Sequence, residues 1–446
     1  MNRKLVFVDK IVTVNERNEV LKNHAVIIED GKIKELIPRK NVDPSKFTGD
    51  IHDFSGYTLI PGFVQTHIHL CQTLFRGFAD DMELLEWLQN KIFRYENGHT
   101  KESLRASAQL GLLDLLSGGT TTILDMGTLR HQEIIFEELI KSGMHAVAGN
   151  CMMDINNLDD SFKESTDWNI KTSHELAGTY HNSNSGKIKY AFAPRFVLSC
   201  SEKLLKETKS MMQDFEGSIL HTHSSENKKE IETVRKITGK ENIEYFDAIG
   251  VLDSDTVLAH CIHLNEREIN ILKEKSVRVS HCPSSNLKLG SGIANIPGLM
   301  NEGISVSIGA DGAPCNNSLS AFTEMRHAAL IQKPIHGPTA MNALTVFRLA
   351  TIEGAKALHL ENEVGSIEVG KDADFVILNL EKHDQPLQLD DEQIYSGIVY
   401  SASKENVISV FVGGDLVIDK GNCLLFDEAE LILKGKEELT KLIRRL

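Results

Sequence analysis

Two histidines one residue apart, His67 and His69, lie in the apolar, Gly/Pro-punctuated stretch PGFVQTHIHLCQTLFRG. His221 and His223 repeat the spacing in SILHTH, with Glu226 three residues after the second, and His260, His281 and Asp311 sit at the ends of other short apolar runs. Neutral imidazole nitrogens together with a carboxylate are the donors that hold a divalent metal. A metal held this way acidifies a bound water to a pKa of about 7 and so supplies a nucleophile at neutral pH. With 18 histidines in the chain, any one of them is more often a satisfied core or surface residue. Histidines closing several apolar runs, with an aspartate closing another, are a different matter, and together they predict a metal centre.

Such residues need a scaffold that brings strand ends together. Eight short apolar runs read as strands: FVQTHIH near 63–69, TTTILD at 120–125, HAVAGN at 145–150, KYAFAP at 189–194, SILHTH at 218–223, TVLAH at 256–260, VRVSHCP at 277–283 and ISVSIGAD at 304–311. Between most of them lie amphipathic segments with helical spacing, such as ESLRASAQLGLLDLLSGG, closed by Gly118 and Gly119, and NEREINILKEK. Eight βα units over roughly 250 residues is the size of a TIM barrel, whose chemistry sits at the carboxyl ends of its strands. A doubly wound sheet is the alternative, and the chain offers no glycine-rich dinucleotide turn for it. Alternate residues of a strand share a face, so an HxH sequence can aim both rings inward.

Both ends of the chain read differently. KLVFVDKIVTV, HAVIIEDGKIKELIP and DFSGYTLIPGF are short strands with turns, and the same pattern returns in GSIEVGKDADFVILNL and ENVISVFVGGDLVIDKGN. The expected fold class is therefore α/β: a (β/α)8 TIM barrel over 61–364, with a small β-sandwich domain formed by both termini, 1–60 and 365–446. The tail FDEAELILKGKEELTKLIRRL has helical spacing and is expected to form a C-terminal helix.

The 446 residues are 41% hydrophobic and 25% charged, ordinary for a soluble globular protein. A net charge of -15 argues against nucleic acid as a partner, since phosphate binding needs concentrated Lys and Arg. The N-terminal segment has no apolar core of a signal peptide, and no run approaches the ~18 apolar residues of a membrane span. Seven scattered cysteines without CxxC spacing fit reduced thiols and a cytoplasmic location. A small-molecule substrate is the default expectation, with neither nucleic acid nor membrane as partner.

PGFVQTHIH, HTHSSEN, LAHC, SHCPSSNLKLGSGIA and GADGAPCNNSLSAFTEMR together resemble the amidohydrolase superfamily, in its cytosine deaminase and chlorohydrolase branch. Within that branch the chain is most similar to deaminases of methylthioadenosine, S-adenosylhomocysteine and 5'-deoxyadenosine, over nearly its whole length. The resemblance implies one divalent metal, zinc or else iron, held by His67, His69, His223 and Asp311. His223 rather than His221 is implied because the branch pattern HxxE is met by His223 and Glu226. His221 and His281 then become supporting groups. Relatives are often dimers or tetramers, so a homo-oligomer is expected.

The mechanism so implied is hydrolytic deamination of a modified purine nucleoside. Asp311 serves as base toward the attacking water, His260 orients it, and Glu226 shuttles protons to the ring nitrogen and the departing ammonia. The ordinary alternative for Glu226 is a solvated glutamate at a helix start, a reading kept for Glu230 and Glu232. In DDMELLEWLQNKIFRYENGH the resemblance makes Trp87 the residue that packs on the purine and Glu96 the reader of the ribose hydroxyls, although Trp87 at helical spacing also suits a core residue. Where methylthioadenosine deaminases carry a histidine after the strand-four proline, this chain has Arg195 in APRFVLS. Its five fixed donors suit a ring nitrogen, a substrate carboxylate or an acidic neighbour. Ser284, Ser285 and Asn286 complete the pocket or shape its loop. The competing expectations are a triazine chlorohydrolase or a guanine or pterin deaminase on the same scaffold, and a metal-free binding protein.

Overall fold

The computed structural model describes residues 3–387 and 390–446. Four strands open the chain, β1 Arg3–Val12, β2 Val20–Glu29, β3 Lys32–Pro38 and β4 Asp50–Pro61. The barrel follows: β5 Phe63–His69, β6 Thr120–Asp125, β7 His145–Ala148 and the short β8 Cys151–Met152, β9 Ile188–Pro194, β10 Ile219–Ser224, β11 Thr256–His260, β12 Arg278–His281, then β13 Val306–Ile308 with its continuation β14 Asp311–Gly312. Neighbouring barrel strands are parallel, and β14 pairs with β5 through Asp311 opposite Ile68, which closes the ring. All eight runs expected as strands take their places in it, shortened by a residue or two at the ends of several. Their residues are buried along nearly their whole length, as a parallel sheet covered by helices requires.

The remaining strands, β15 Phe375–Leu378, β16 Val407–Val412, β17 Asp415–Asp419 and β18 Asn422–Cys423, join β1–β4 in one mixed sheet of order β18-β17-β16-β15-β4-β1-β2-β3. The two halves meet where β15 runs antiparallel to β4, Phe375 opposite Pro61. Strand alternation decides what β15 buries. Phe375 and Ile377 enter a core that the sheet builds for itself with Val6, Val26 and Phe411, whereas Val376 and Leu378 face the barrel. The sheet is thereby fastened to the barrel along its middle, and among the described residues no helix is long and apolar enough to cross a membrane.

Four helices bear on the site. Helix α1, Lys101–Ser117, starts at a capping box between Thr100 and Ser103 and stops at Gly118. Helix α2, Lys228–Thr238, has a second such box, Asn227 with Glu230. Helix α3, Pro283–Lys288, begins with proline in its first turn, where the missing N–H costs nothing. Helix α4, Glu428–Ile443, is the expected terminal helix. It packs on the barrel side, with Leu442 against Leu74 and Phe75 just beyond the HxH strand. Past its end, Arg445 Nη2 donates to Gly98 O at 2.9 Å and Arg94 Nη2 donates to Leu446 O at 3.2 Å, tying residues 94–98 down.

Close backbone approach explains one glycine of the eighth strand. A Cβ on Gly309 would lie 2.7 Å from His67 N and 2.8 Å from His67 O, so only a hydrogen lets the strands that carry His67 and Asp311 close on each other. Gly309→Ala is expected to destabilise the fold by about 1–3 kcal/mol, read as a lower urea midpoint, and to weaken metal retention as β5 moves away.

Candidate active site

His67, His69, His223 and Asp311 converge at the carboxyl ends of β5, β10 and β14, with one donor atom from each within 4.8 Å of the others. Asp311 Oδ1 lies 3.3 Å from His67 Nε2 and 3.3 Å from His69 Nε2, and His69 Nε2 lies 3.3 Å from His223 Nε2. Donors placed tetrahedrally about ~2.0–2.1 Å from one centre are about 3.3 Å apart along each edge, so the spacing fits a metal. Proton positions agree. His223 Nδ1 lies 2.7 Å from Arg195 O, which can only accept, so the hydrogen is on Nδ1 and the Nε2 lone pair faces inward. Burial lowers the pKa of all three imidazoles and keeps them neutral, which a ligand must be. Burial alone would raise the Asp311 carboxyl, but His67, His69 and His260 around it hold it well below the usual range.

A second grouping, His69, Cys71 and Glu96, also lies within 4.8 Å. Arg195 already places its guanidinium on both oxygens of Glu96, with Nη1 2.6 Å from Oε2 and Nη2 3.0 Å from Oε1. A cation has no reason to settle beside it.

Around the four donors the loops set further groups. Ser285 Oγ donates to Asp311 Oδ2 at 2.7 Å and His260 Nδ1 donates to Asn286 Oδ1 at 2.8 Å, so the first turn of α3 positions both side chains. His260 Nε2 then stands 3.5 Å from Glu226 Oε2 and 3.8 Å from Asp311 Oδ2. His260 and Asp311 both take left-handed backbone, φ 73 and φ 62, a strain of about 1–3 kcal/mol each that functional sites tend to store. Glu226 is buried, and its carboxyl is pushed well above the usual range by burial first and then by the charge of Asp311. Its backbone N–H donates to Glu230 Oε2 at 3.0 Å.

Glu230 therefore departs from the surface reading given to it above. It is buried, bonded to Asn242, and its pKa is raised by burial to about 8. Its place was written in the N-x-x-E spacing from Asn227, a capping signature. His281 lies buried beneath the site, with neither ring nitrogen hydrogen-bonded.

A narrow cavity opens on these groups, walled by Gln72, Leu84, Trp87, Leu88, Arg195 and Phe196. Trp87 is buried on that wall with its Nε1 free of any hydrogen bond, so its core and pocket readings coincide. Glu96, expected to read a ribose, is not among the residues that line this cavity. Gln72 Nε2 donates to Glu96 Oε1 at 2.7 Å and the guanidinium of Arg195 takes both oxygens, so the carboxylate is engaged by two residues of the cavity wall. Arg195 also stands over the Phe93 ring, 4.9 Å from its centroid. Gln72, Phe196, Leu84, Leu88 and Leu289 were not singled out in the sequence, since nothing in their spacing marks them. A wider groove, about 1140 Å³, runs between the mixed sheet, α1 and α4, but it holds none of these histidines.

Arg195 and Glu96 are both almost fully buried, and removing one charge strands the other. Glu96→Gln is expected to cost about 3–5 kcal/mol of stability, measured by urea unfolding.

Comparison with known proteins agrees with this geometry. The profile of the Amidohydrolase family matches residues 58–417. A 5-methylthioadenosine/S-adenosylhomocysteine deaminase of Bacillus cytotoxicus is 36% identical over 431 residues, 96% of each chain. An adenosine deaminase from Xanthomonas campestris, solved with bound zinc, superposes with a TM-score of 0.91 at 28% identity, covering 99% of each chain. A guanine deaminase from C. acetobutylicum with guanine in its active site gives 0.82 at 28% identity, over 93% of this chain and all of that one. With its matched span running through the whole barrel, the chain belongs to the amidohydrolase family of metal-dependent hydrolases.

Proposed function

We propose that the protein is a zinc-dependent aminohydrolase that converts a 5'-modified adenosine (5'-deoxyadenosine, methylthioadenosine or S-adenosylhomocysteine) to the inosine analogue and ammonia. The observation that carries this reading is Glu226, a buried carboxyl whose pKa is raised by burial and by the charge of Asp311, 3.5 Å from His260 Nε2 on the cavity that holds the donors of the metal site. When bound there, a divalent cation supplies an acidified water and charge neutralisation. The chain's own groups do the rest. Asp311 accepts a proton as the water oxygen adds to C6 of the purine, and His260 Nε2 stabilises the charge developing there. Glu226 gives its proton to the adjacent ring nitrogen, receives the one that Asp311 accepted and delivers it to the amino group as the C–N bond breaks, and the proton left on the added oxygen then restores Glu226. Water and the adenine ring enter, and the 6-oxo purine and ammonia leave. Trp87 offers a ring face to the purine, and Arg195 a fixed cationic donor whose orientation Glu96 maintains. Zinc suits three imidazoles and a carboxylate, with iron as the other fit. The free cysteines support a cytoplasmic location.

One observation favours a second reading, deamination of a guanine-type free base. Both oxygens of Glu96 are engaged by Arg195, while Gln72 on the cavity wall has an Oε1 without a hydrogen-bond partner among the described residues, free to accept from a base. Both readings are tested by incubating zinc-loaded protein with 5'-deoxyadenosine, methylthioadenosine, S-adenosylhomocysteine, adenosine and guanine while following ammonia release. Turnover of a nucleoside is the expected result, guanine turnover alone supports the second reading, and turnover of none sinks both.

A further inference from the structure

We propose that His221 is a positioning residue: through its ring it fixes the proton of His67 on Nδ1 and so turns the Nε2 lone pair of His67 toward the metal centre. The proposal rests on the metal-centre reading given above and names the side chain that prepares one ligand of that centre.

His221 stands two residues before His223 on β10, at 0% exposure, and is not among the residues that line the cavity. Its Nδ1 lies 2.9 Å from Val257 O and its Nε2 lies 2.7 Å from His67 Nδ1. The Val257 carbonyl carries lone pairs only, so the hydrogen of His221 must sit on Nδ1. Nε2 of His221 is then an acceptor, and the 2.7 Å contact is a hydrogen bond only when His67 carries its hydrogen on Nδ1. The opposite arrangement would set a ring lone pair against a carbonyl lone pair inside a dry core, where an unmade bond of this kind costs about 1–3 kcal/mol. With its hydrogen fixed on Nδ1, His67 presents Nε2 unprotonated, 3.3 Å from Asp311 Oδ1.

The other ligands show why this contact matters at His67 in particular. His223 is oriented by a backbone carbonyl, which no substitution removes, and Nδ1 of His69 has no partner at all. Of the three imidazoles, His67 alone depends on another side chain for its tautomer.

Zinc affinity measured by competition with a chromogenic chelator tests the role. His221→Phe is expected to weaken zinc binding roughly 10- to 100-fold, the usual effect of losing an outer partner of a metal-bound histidine. His221→Gln, whose Oε1 can accept from His67 Nδ1–H, is expected to recover most of that loss. Urea unfolding of the metal-free proteins runs alongside, because a merely space-filling role would lower stability without separating Gln from Phe in zinc affinity. Equal zinc affinity in the parent and His221→Phe, or equal losses in the two variants, overturns the proposal. A parent that binds no zinc removes the metal centre itself, a different failure. Should His221→Phe not fold, 15N imidazole spectra of the metal-free parent decide: Nδ1-protonated His67 is expected, and an Nε2-protonated ring overturns the assignment.

Discussion

Glu226→Gln is expected to lower kcat roughly 100- to 10,000-fold, the span that a positioned proton donor contributes. KM and zinc content should stay close to those of the parent. The reasoning is geometric. Glutamine keeps the volume and one oxygen of the side chain, and the backbone N–H remains on Glu230, so the loop after β10 holds its course. What disappears is an ionisable proton on a buried side chain 3.5 Å from His260 Nε2. The ring nitrogen and the leaving amine then have no acid. Steady-state kinetics with zinc quantified on the same sample make the comparison, and a Gln variant with the parent's kcat would remove Glu226 from the mechanism.

Asp311→Asn should be as damaging by a different route. The carboxylate is both a donor to the metal site and the proposed base, and several kcal/mol of transition-state stabilisation are at stake at such a centre. A tenfold rate loss corresponds to ~1.4 kcal/mol, so a fall of roughly 1,000-fold or more is expected. Asparagine tolerates left-handed backbone, so the φ of 62 at this position need not change and the loss reports on charge rather than on folding. Unlike Glu226→Gln, this variant should also retain less zinc after dialysis. Full zinc retention together with full activity is the outcome that would exclude Asp311 from the centre.

Much of this was legible before any coordinates. Short apolar runs alternating with amphipathic helices specify barrel strands, and the barrel fixes which ends of those strands meet, so pattern brought the strand-end histidines and Asp311 to one place, while the choice of His67, His69, His223 and Asp311 among them came from the family resemblance. Glu226 followed from its spacing to His223. The Glu96 to Arg195 contact did not follow, because it joins residues 99 positions apart, one in a short helix over 93–97 and one just after β9, and depends on how that helix is laid against the end of β9. For the same reason Glu96, sensible as a ribose reader in isolation, is held by Arg195 and Gln72 without any sign of it in the spacing. Gln72 and Phe196 are ordinary residues that acquire a role only from the wall they share, and His221 looks like a spare ligand until its two ring nitrogens are seen to be engaged.

The bracing of Gly98 by Arg445, and the closing of the mixed sheet by β15–β18, also bear on how the molecule is made. During synthesis, β1–β4 and the barrel strands emerge while the partners they need, from residue 375 onward, are still inside the ribosome. Until then the edge of β4 and the apolar face of residues 70–75 stand open to solvent, the kind of surface on which partly made chains stick to one another. The segment that follows Trp87 and Glu96 gains its tether to Arg445 only when the end of α4 has been made.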